Sequence, residues 1–112
     1  MIRAGWTPTL DDFRAFARLS GDDNPIHTDP AYAATHPFGR PVCHGMLIHA
    51  RLWALGQGAG LAGRVVELMF PNPAHAGDPL VLTLARDGTA TLAEARRQDG
   101  TPVCLARWDA AP

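Results

Sequence analysis

Hydrophobic positions recur at helical spacing near the start of the chain, at Leu10, Phe13 and Ala17. The preceding Thr9 and the following Asp12 have the form of a capping box, with aspartate in place of the usual glutamate. Gly21 and the Asp-Asn-Pro run behind it predict the end of this helix. Residues 1–60 as a whole are interpreted as helices and loops, and strands are expected only beyond them.

A second helix is predicted from Gly45 to about Leu55, where apolar residues cover most of the helical circumference. A helix that is apolar nearly all round is expected to be buried. The intervening residues 20–43 are rich in proline and predicted to be loop, apart from a short helix from Pro30 through Ala34. A loop of this length is unusual in so small a chain unless it carries a function.

The last part of the chain favours an antiparallel meander. Alternating apolar residues predict strands over Arg64–Phe70, Leu80–Arg86, Ala90–Arg97 and Pro102–Asp109. The dipeptides Asp87-Gly88 and Asp99-Gly100 are strong hairpin-turn signals. The expected fold class is α+β, with the sheet curled around the buried helix. Because so short a chain cannot easily cover its edge strands and apolar surface, we expect a homodimer.

Composition narrows the class of protein. The chain has 112 residues and a formal net charge of -1, which predicts one domain over residues 1–112 and argues against a nucleic-acid partner. The two cysteines, Cys43 and Cys104, are expected to be reduced and packed. Neither a signal peptide nor a membrane-spanning stretch is evident, so we expect a cytoplasmic protein without a membrane partner.

The densest cluster of reactive side chains lies in residues 20–29. Pro25 fixes its own φ and favours extended backbone at Asn24. A stiff turn of this kind can direct Asp22 and His27 towards one point. Acid–base catalysis needs that convergence, because a proton carrier must lie within hydrogen-bond reach of its target. The segment is therefore the predicted site of proton transfer.

A second candidate element is the tetrapeptide Cys43–Met46, which opens the predicted central helix. Free backbone N–H groups and the positive end of the helix dipole favour negative charge at that point. Gly45 carries no side chain, so a ligand can approach its backbone closely. The helix start is therefore a predicted site for a developing oxyanion.

These motifs resemble the MaoC-like dehydratase family, which includes the (R)-specific enoyl-CoA hydratases. The resemblance is carried by FARLSGDDNPIH over 16–27, by Phe38, Val42 and His44–Met46, and by the later Phe70-Pro71 and Gly77–Leu80. Its most specific part is the Ser-Gly-Asp-x-Asn-Pro-x-His string. The resemblance as a whole spans nearly the entire chain. It implies the hot-dog fold, a curved antiparallel sheet wrapped around one long helix.

The resemblance also implies the chemistry. The family's catalytic pair falls on Asp22 and His27, its supporting amide on Asn24, and its carbonyl-binding backbone N–H on Gly45. The implied reaction is reversible hydration of a trans-2-enoyl thioester to the (R)-3-hydroxyacyl thioester, with coenzyme A or an acyl carrier protein as the thiol. No cofactor and no metal are implied. Which of the two catalytic groups is the acid stays open.

Two other functions stay open. In an acyl thioesterase of the same fold, Asp22 would direct water at the carbonyl carbon, and release of free thiol would distinguish that reaction. The chain could instead be a non-catalytic subunit that binds acyl thioesters. Ala50 motivates this second alternative, because many relatives carry a hydroxyl residue near that position.

Several bland interpretations compete at single residues. A zinc site is not favoured, because the histidines and Cys43 match no paired-ligand spacing. A Cys43–His44 nucleophile is not favoured either, because adjacent residues rarely align as nucleophile and base. His44 is expected to cap or pack, and His36 and His75 are expected at the surface.

Overall fold

The computed structural model describes residues 1–109. Its elements in chain order are β1 (Ile2–Trp6), α1 (Leu10–Ser20), α2 (Pro25–Thr28), α3 (Pro30–Ala33), α4 (Gly45–Gly58), β2 (Arg64–Met69), β3 (Leu80–Asp87), β4 (Ala90–Arg97) and β5 (Pro102–Asp109). The strands form one sheet in the order β1-β3-β4-β5-β2, with every neighbouring pair antiparallel. The expected α+β arrangement of a sheet packed on one long helix is confirmed.

The central part of the sheet is the predicted meander of β3, β4 and β5. Gly88 and Gly100 adopt positive φ angles of 63° and 90° at its two turns, a conformation that glycine adopts without a steric penalty. The expectation of a meander over all four runs is wrong for β2, which lies beside β5 at the edge of the sheet. The proline-rich residues 70–79 therefore cross from that edge to the opposite side of the sheet before β3 begins.

The expectation that residues 1–60 hold no strand is also wrong. β1 pairs with β3, and its register joins Ile2 to Leu84 and Trp6 to Leu80. Exposure alternates along β1, with Arg3 exposed between two half-buried neighbours. This alternation is visible in the sequence, but a short run that contains a glycine is weak evidence for a strand until β3 supplies its partner.

The central helix α4 packs one side on the sheet. Ile48, Leu52 and Gly56 are buried there, and the hydrophobic core also contains Trp108 of β5. The expectation of burial all round is wrong for the single chain, because Met46, Ala50 and Ala54 are exposed. A five-stranded sheet covers only one side of the helix, so a second apolar face remains open.

The first helix forms as predicted. Thr9 and Asp12 make both bonds of the capping box, and Gly21 ends the helix with a φ of 80°. Phe13 and Ala17 are its buried residues. The predicted short helix after Asp29 is confirmed as α3, whereas α2 replaces what was expected to be a simple turn. The first of these two short helices, α2, carries His27 of the candidate site.

Candidate active site

The backbone around Asp22 is fixed from both sides. Gly21 turns the chain out of α1, and the amide N–H of Asp22 donates to Ser20 Oγ over 3.1 Å. The carbonyl of Asp22 accepts a hydrogen bond from His44 Nε2 over 2.9 Å. The position of the Asp22 carboxylate is therefore set by its main chain, while its side chain stays open to solvent.

His27 is positioned by α2. Asn24 caps this helix, since its Oδ1 accepts from the amide N–H of Ile26 over 3.0 Å. The ring Nδ1 of His27 lies 2.7 Å from the carbonyl oxygen of Val42. A carbonyl oxygen only accepts, so Nδ1 carries the proton and neutral His27 keeps its lone pair on Nε2.

The structure brings the two predicted catalytic groups together. Nε2 of His27 lies 3.7 Å from Oδ2 of Asp22, and 16% of the His27 side chain is exposed against 56% for Asp22. One water at about 2.8 Å from each atom fits that separation. Neutral His27 and ionised Asp22 would both accept its protons. The separation thus leaves room for one water molecule between the two groups.

Asn24 lies between Asp22 and His27 in the sequence, and its carboxamide oxygen is engaged in capping α2. Its role in the described residues is therefore to orient the helix that carries His27. The amide nitrogen of Asn24 remains able to donate to a ligand.

The start of α4 leaves backbone donors free. His44 caps the helix without a side-chain bond, and the N–H of Gly45 donates to no acceptor within residues 1–109. The phenyl ring of Phe70 covers the α-carbon of Gly45, so that an added Cβ would lie 2.9 Å from the ring. Contact with the Phe70 ring is therefore one reason for glycine at this position, besides the approach of a ligand.

A cleft of about 480 Å³ lies between His27 and this helix start. Its walls are mainly apolar, and they include Phe38, Gly45, Ile48, Phe70 and Val103. Asp22 is not among the lining residues and approaches the cleft through its contact with His27. An apolar cavity with a few polar groups at one end is typical of a small-molecule site.

His44 caps α4 and is packed in the interior, as expected, but its contact with the proposed pair was not predicted. Its ring is only 2% exposed and stacks on His27 with 3.8 Å between ring centres and 21° between planes. Sequence alone indicated a capping or packing residue, and only the long-range contact with Asp22 separates it from other histidines. The expectation that His75 lies at the surface is wrong: it is buried, and its Nδ1 donates to the Pro41 carbonyl.

Asp22, His27 and His44 together meet the distance requirement of a metal site, with one donor atom of each within 4.8 Å of the others. The ring orientations do not suit one. A metal ion binds in the plane of an imidazole, and stacked rings direct their lone pairs side by side. His44 Nε2 is moreover engaged by the Asp22 carbonyl. These donors therefore fit proton transfer better than zinc.

The cysteines are poor nucleophiles in this fold. Burial, with a smaller effect of nearby Asp12, raises the pKa of Cys43 to about 12, and burial raises the pKa of Cys104 to about 12. The Cys43 thiol donates to the main-chain carbonyl of His44, not to its ring. The alternative of a Cys43–His44 nucleophile has no support from this geometry.

Comparison with known proteins finds one matching family model and several similar proteins. The family model described as a MaoC like domain matches residues 3–102. The (R)-specific enoyl-CoA hydratase of Aeromonas caviae is 44% identical over 70 residues, which cover 57% of this chain and 51% of that protein. The 3-hydroxybutyryl-CoA dehydratase of Methylorubrum extorquens is 38% identical over 71 residues, covering 60% and 45% of the two chains.

Solved structures confirm the hot-dog fold. The (R)-hydratase from A. caviae involved in PHA biosynthesis superposes with a TM-score of 0.82 at 29% identity, over 99% of this chain and 93% of that one. By sequence, the chain spans about half the length of the two curated relatives described above. Among residues 1–109, no helix has the length and apolar character needed to cross a bilayer.

Proposed function

Because the chain belongs to the MaoC-like domain family, we propose that residues 1–112 form a single hot-dog domain that hydrates trans-2-enoyl thioesters and dehydrates (R)-3-hydroxyacyl thioesters. The observation that carries this proposal is the 3.7 Å approach of His27 Nε2 to Asp22 Oδ2 beside an apolar cleft. The relatives named above act on enoyl-CoA and 3-hydroxybutyryl-CoA, which makes acyl-CoA the proposed substrate class.

The proposed reaction conserves the protons of the pair. Asp22 and His27 hold one water, and one of them takes a proton as the water oxygen adds to the β-carbon. The pair then returns a proton to the α-carbon, so that it is unchanged after each turnover. His27 suits the accepting role because its Nδ1–H is fixed on Val42 and its Nε2 lone pair faces Asp22. General acid–base assistance of this kind contributes about 10²–10⁴-fold.

The thioester oxygen gains negative charge when the enolate forms. The free N–H of Gly45, at the positive end of α4, is the proposed donor to that oxygen. One such donor is worth about 3–4 kcal/mol in the transition state. Gly45 and His27 line the same cleft, which allows one thioester to contact both.

The test of the reaction class is an assay with crotonyl-CoA and longer trans-2-enoyl-CoA substrates. We expect loss of the conjugated enoyl absorbance, formation of the (R)-3-hydroxyacyl product by chiral analysis, and no release of free thiol. Thiol release without hydration would instead identify a thioesterase. Saturable binding without turnover would identify a binding subunit, and either result contradicts the proposal.

The proposed assembly is a homodimer formed through β2. Only β5 pairs with this strand, and its other edge has no partner strand within residues 1–109. Val65, Val66 and Met69 of β2 are exposed, and so is Met46 on the uncovered side of α4. A second copy placed against this edge would satisfy the free backbone groups and cover both apolar surfaces.

A further inference from the structure

A histidine is energetically unfavourable at the buried position of His44. Its side chain is buried, and its Nδ1 has no hydrogen-bond partner in the described part of the chain. Burial of an unpaired polar atom is unfavourable, and an apolar ring would avoid that cost. The surroundings are aromatic, with Phe13 and Phe16 packed edge-on against the imidazole. Packing alone therefore gives no reason for a histidine here.

The contacts of His44 give a different reason. Its Nε2 donates to the main-chain carbonyl of Asp22 over 2.9 Å. The face of its ring stacks on His27 at 3.8 Å. One side chain thus holds the main chain of one member of the proposed pair and supports the ring of the other.

The protonation state of His44 suits this arrangement. The bond to a carbonyl requires a proton on Nε2, so a neutral ring keeps its lone pair on the buried Nδ1. Burial lowers the pKa of His44; the hydrogen bond to the Asp22 carbonyl opposes that effect, and nearby His27 lowers the pKa further. A neutral His44 does not repel the positive charge that His27 acquires when it accepts a proton.

We propose that His44 is the positioning residue of the acid–base pair. Through the Asp22 carbonyl and the stacked His27 ring, it keeps Oδ2 and Nε2 close enough to share one water. The inference rests on the proposed hydration reaction, because positioning matters only if the pair transfers protons. It adds a residue whose part in that reaction lies in geometry, without contact to the reacting atoms.

Two substitutions separate the two contacts. His44→Gln keeps an N–H donor near the position of Nε2 and removes the ring, whereas His44→Phe keeps a flat ring and removes the donor. A misplacement on the order of 1 Å can cost about 100-fold in rate. We expect His44→Phe to lower kcat by about 10- to 100-fold with KM within about twofold, and His44→Gln to recover most of that loss.

Thermal unfolding separates positioning from mere structural support. We expect His44→Phe to melt no lower than the wild type, because it removes the unpaired Nδ1. His36→Gln is a matched control, since His36 Nδ1 also contacts a main-chain carbonyl, that of Tyr32, and lies outside the pair. A His44→Phe enzyme with unchanged kcat overturns the proposal. A loss of rate in both His44→Phe and His44→Gln that parallels a lower melting temperature overturns it as well.

The tautomers of His44 and His27 test the positioning role without requiring turnover, and so independently of the proposed reaction. Imidazole ¹⁵N NMR of the full chain should show neutral His44 protonated on Nε2 and neutral His27 protonated on Nδ1. A His44 ring protonated on Nδ1 would exclude its bond to Asp22 and overturn the positioning role. An inactive wild type that shows the expected tautomers would instead count against the hydration reaction alone.

Discussion

At the scale of single residues, His44 and His49 are both buried histidines with a lowered pKa. Burial lowers the pKa of His44 and of His49 below the ordinary value of 6.5. His49 must also be unprotonated on Nε2, because that atom accepts a hydrogen bond from the indole N–H of Trp108. Both groups therefore bind protons more weakly in the folded chain than in the unfolded one.

This property predicts acid sensitivity. Below about pH 6.5 the unfolded chain binds more protons at these histidines, so the free energy of unfolding falls as the pH is lowered. Urea unfolding between about pH 8 and pH 5.5 measures the effect, a range that lies above most carboxylate titration. In His49→Gln the slope against pH should be smaller. An identical slope in the wild type and this variant would contradict the assignment.

The candidate site could be predicted from sequence only where the signal is local. Pro25 and the spacing of Asp22 and His27 indicated a convergent pair, and the 3.7 Å approach agrees with it. The stacked ring of His44 could not be predicted, because it depends on how the start of α4 packs against α1 and α2. Burial of His75 has the same cause, since its contact with Pro41 joins two distant loops.

At the scale of elements, α4 and β5 approach each other closely at one glycine of the helix. Gly56 lies against the Trp108 indole, and a Cβ added there would lie 2.5 Å from Cζ3 of the ring. Gly58, two residues further along the same helix, has no atom within 4 Å of an added Cβ. The two glycines of one helix therefore have different reasons to be present.

This close contact predicts that replacing glycine by alanine has opposite effects on the free energy of unfolding at the two positions. Gly56→Ala should lower the free energy of unfolding by about 1–3 kcal/mol, because a buried indole has to shift. Gly58→Ala should raise it by up to about 1 kcal/mol, since alanine is the better helix former. Chemical denaturation of both variants checks this pair. Equal effects of the two changes would show that Trp108 does not seat on Gly56.

Local signals also explain which elements were predictable. The capping box at Thr9 and the hairpin glycines Gly88 and Gly100 act within a few residues, and the structure confirms all of them. The strand β1 depends on pairing with β3, which lies far away in sequence. The position of β2 beside β5 depends on the path of the proline-rich crossover, which no periodicity encodes.

At the scale of the whole molecule, the exposed edge of β2 carries the proposal of a dimer. Val66 lies at an irregularity in the pairing of β2 with β5 and is 41% exposed. Lysine on an edge strand opposes pairing with another chain. Val66→Lys should therefore shift the assembly from twice the chain mass of 12.0 kDa towards the single chain.

Sedimentation equilibrium of the wild type and Val66→Lys measures this shift. Thr89→Lys, in the exposed turn between β3 and β4, adds the same charge away from the proposed interface. It should sediment as the wild type does. A wild type that stays at 12.0 kDa over the concentrations used for activity would rule out the dimer.

The proposed function depends on proton transfer by Asp22 and His27 during enoyl-thioester hydration. The direct measurement is the steady-state rate of crotonyl-CoA hydration by the wild type, Asp22→Asn and His27→Gln, with Asp23→Asn as a neighbouring carboxylate control. We predict a loss of at least about 100-fold in kcat for each member of the pair and little change for the control, with all four proteins folded. Near-normal rates in Asp22→Asn and His27→Gln would contradict a catalytic role for the pair.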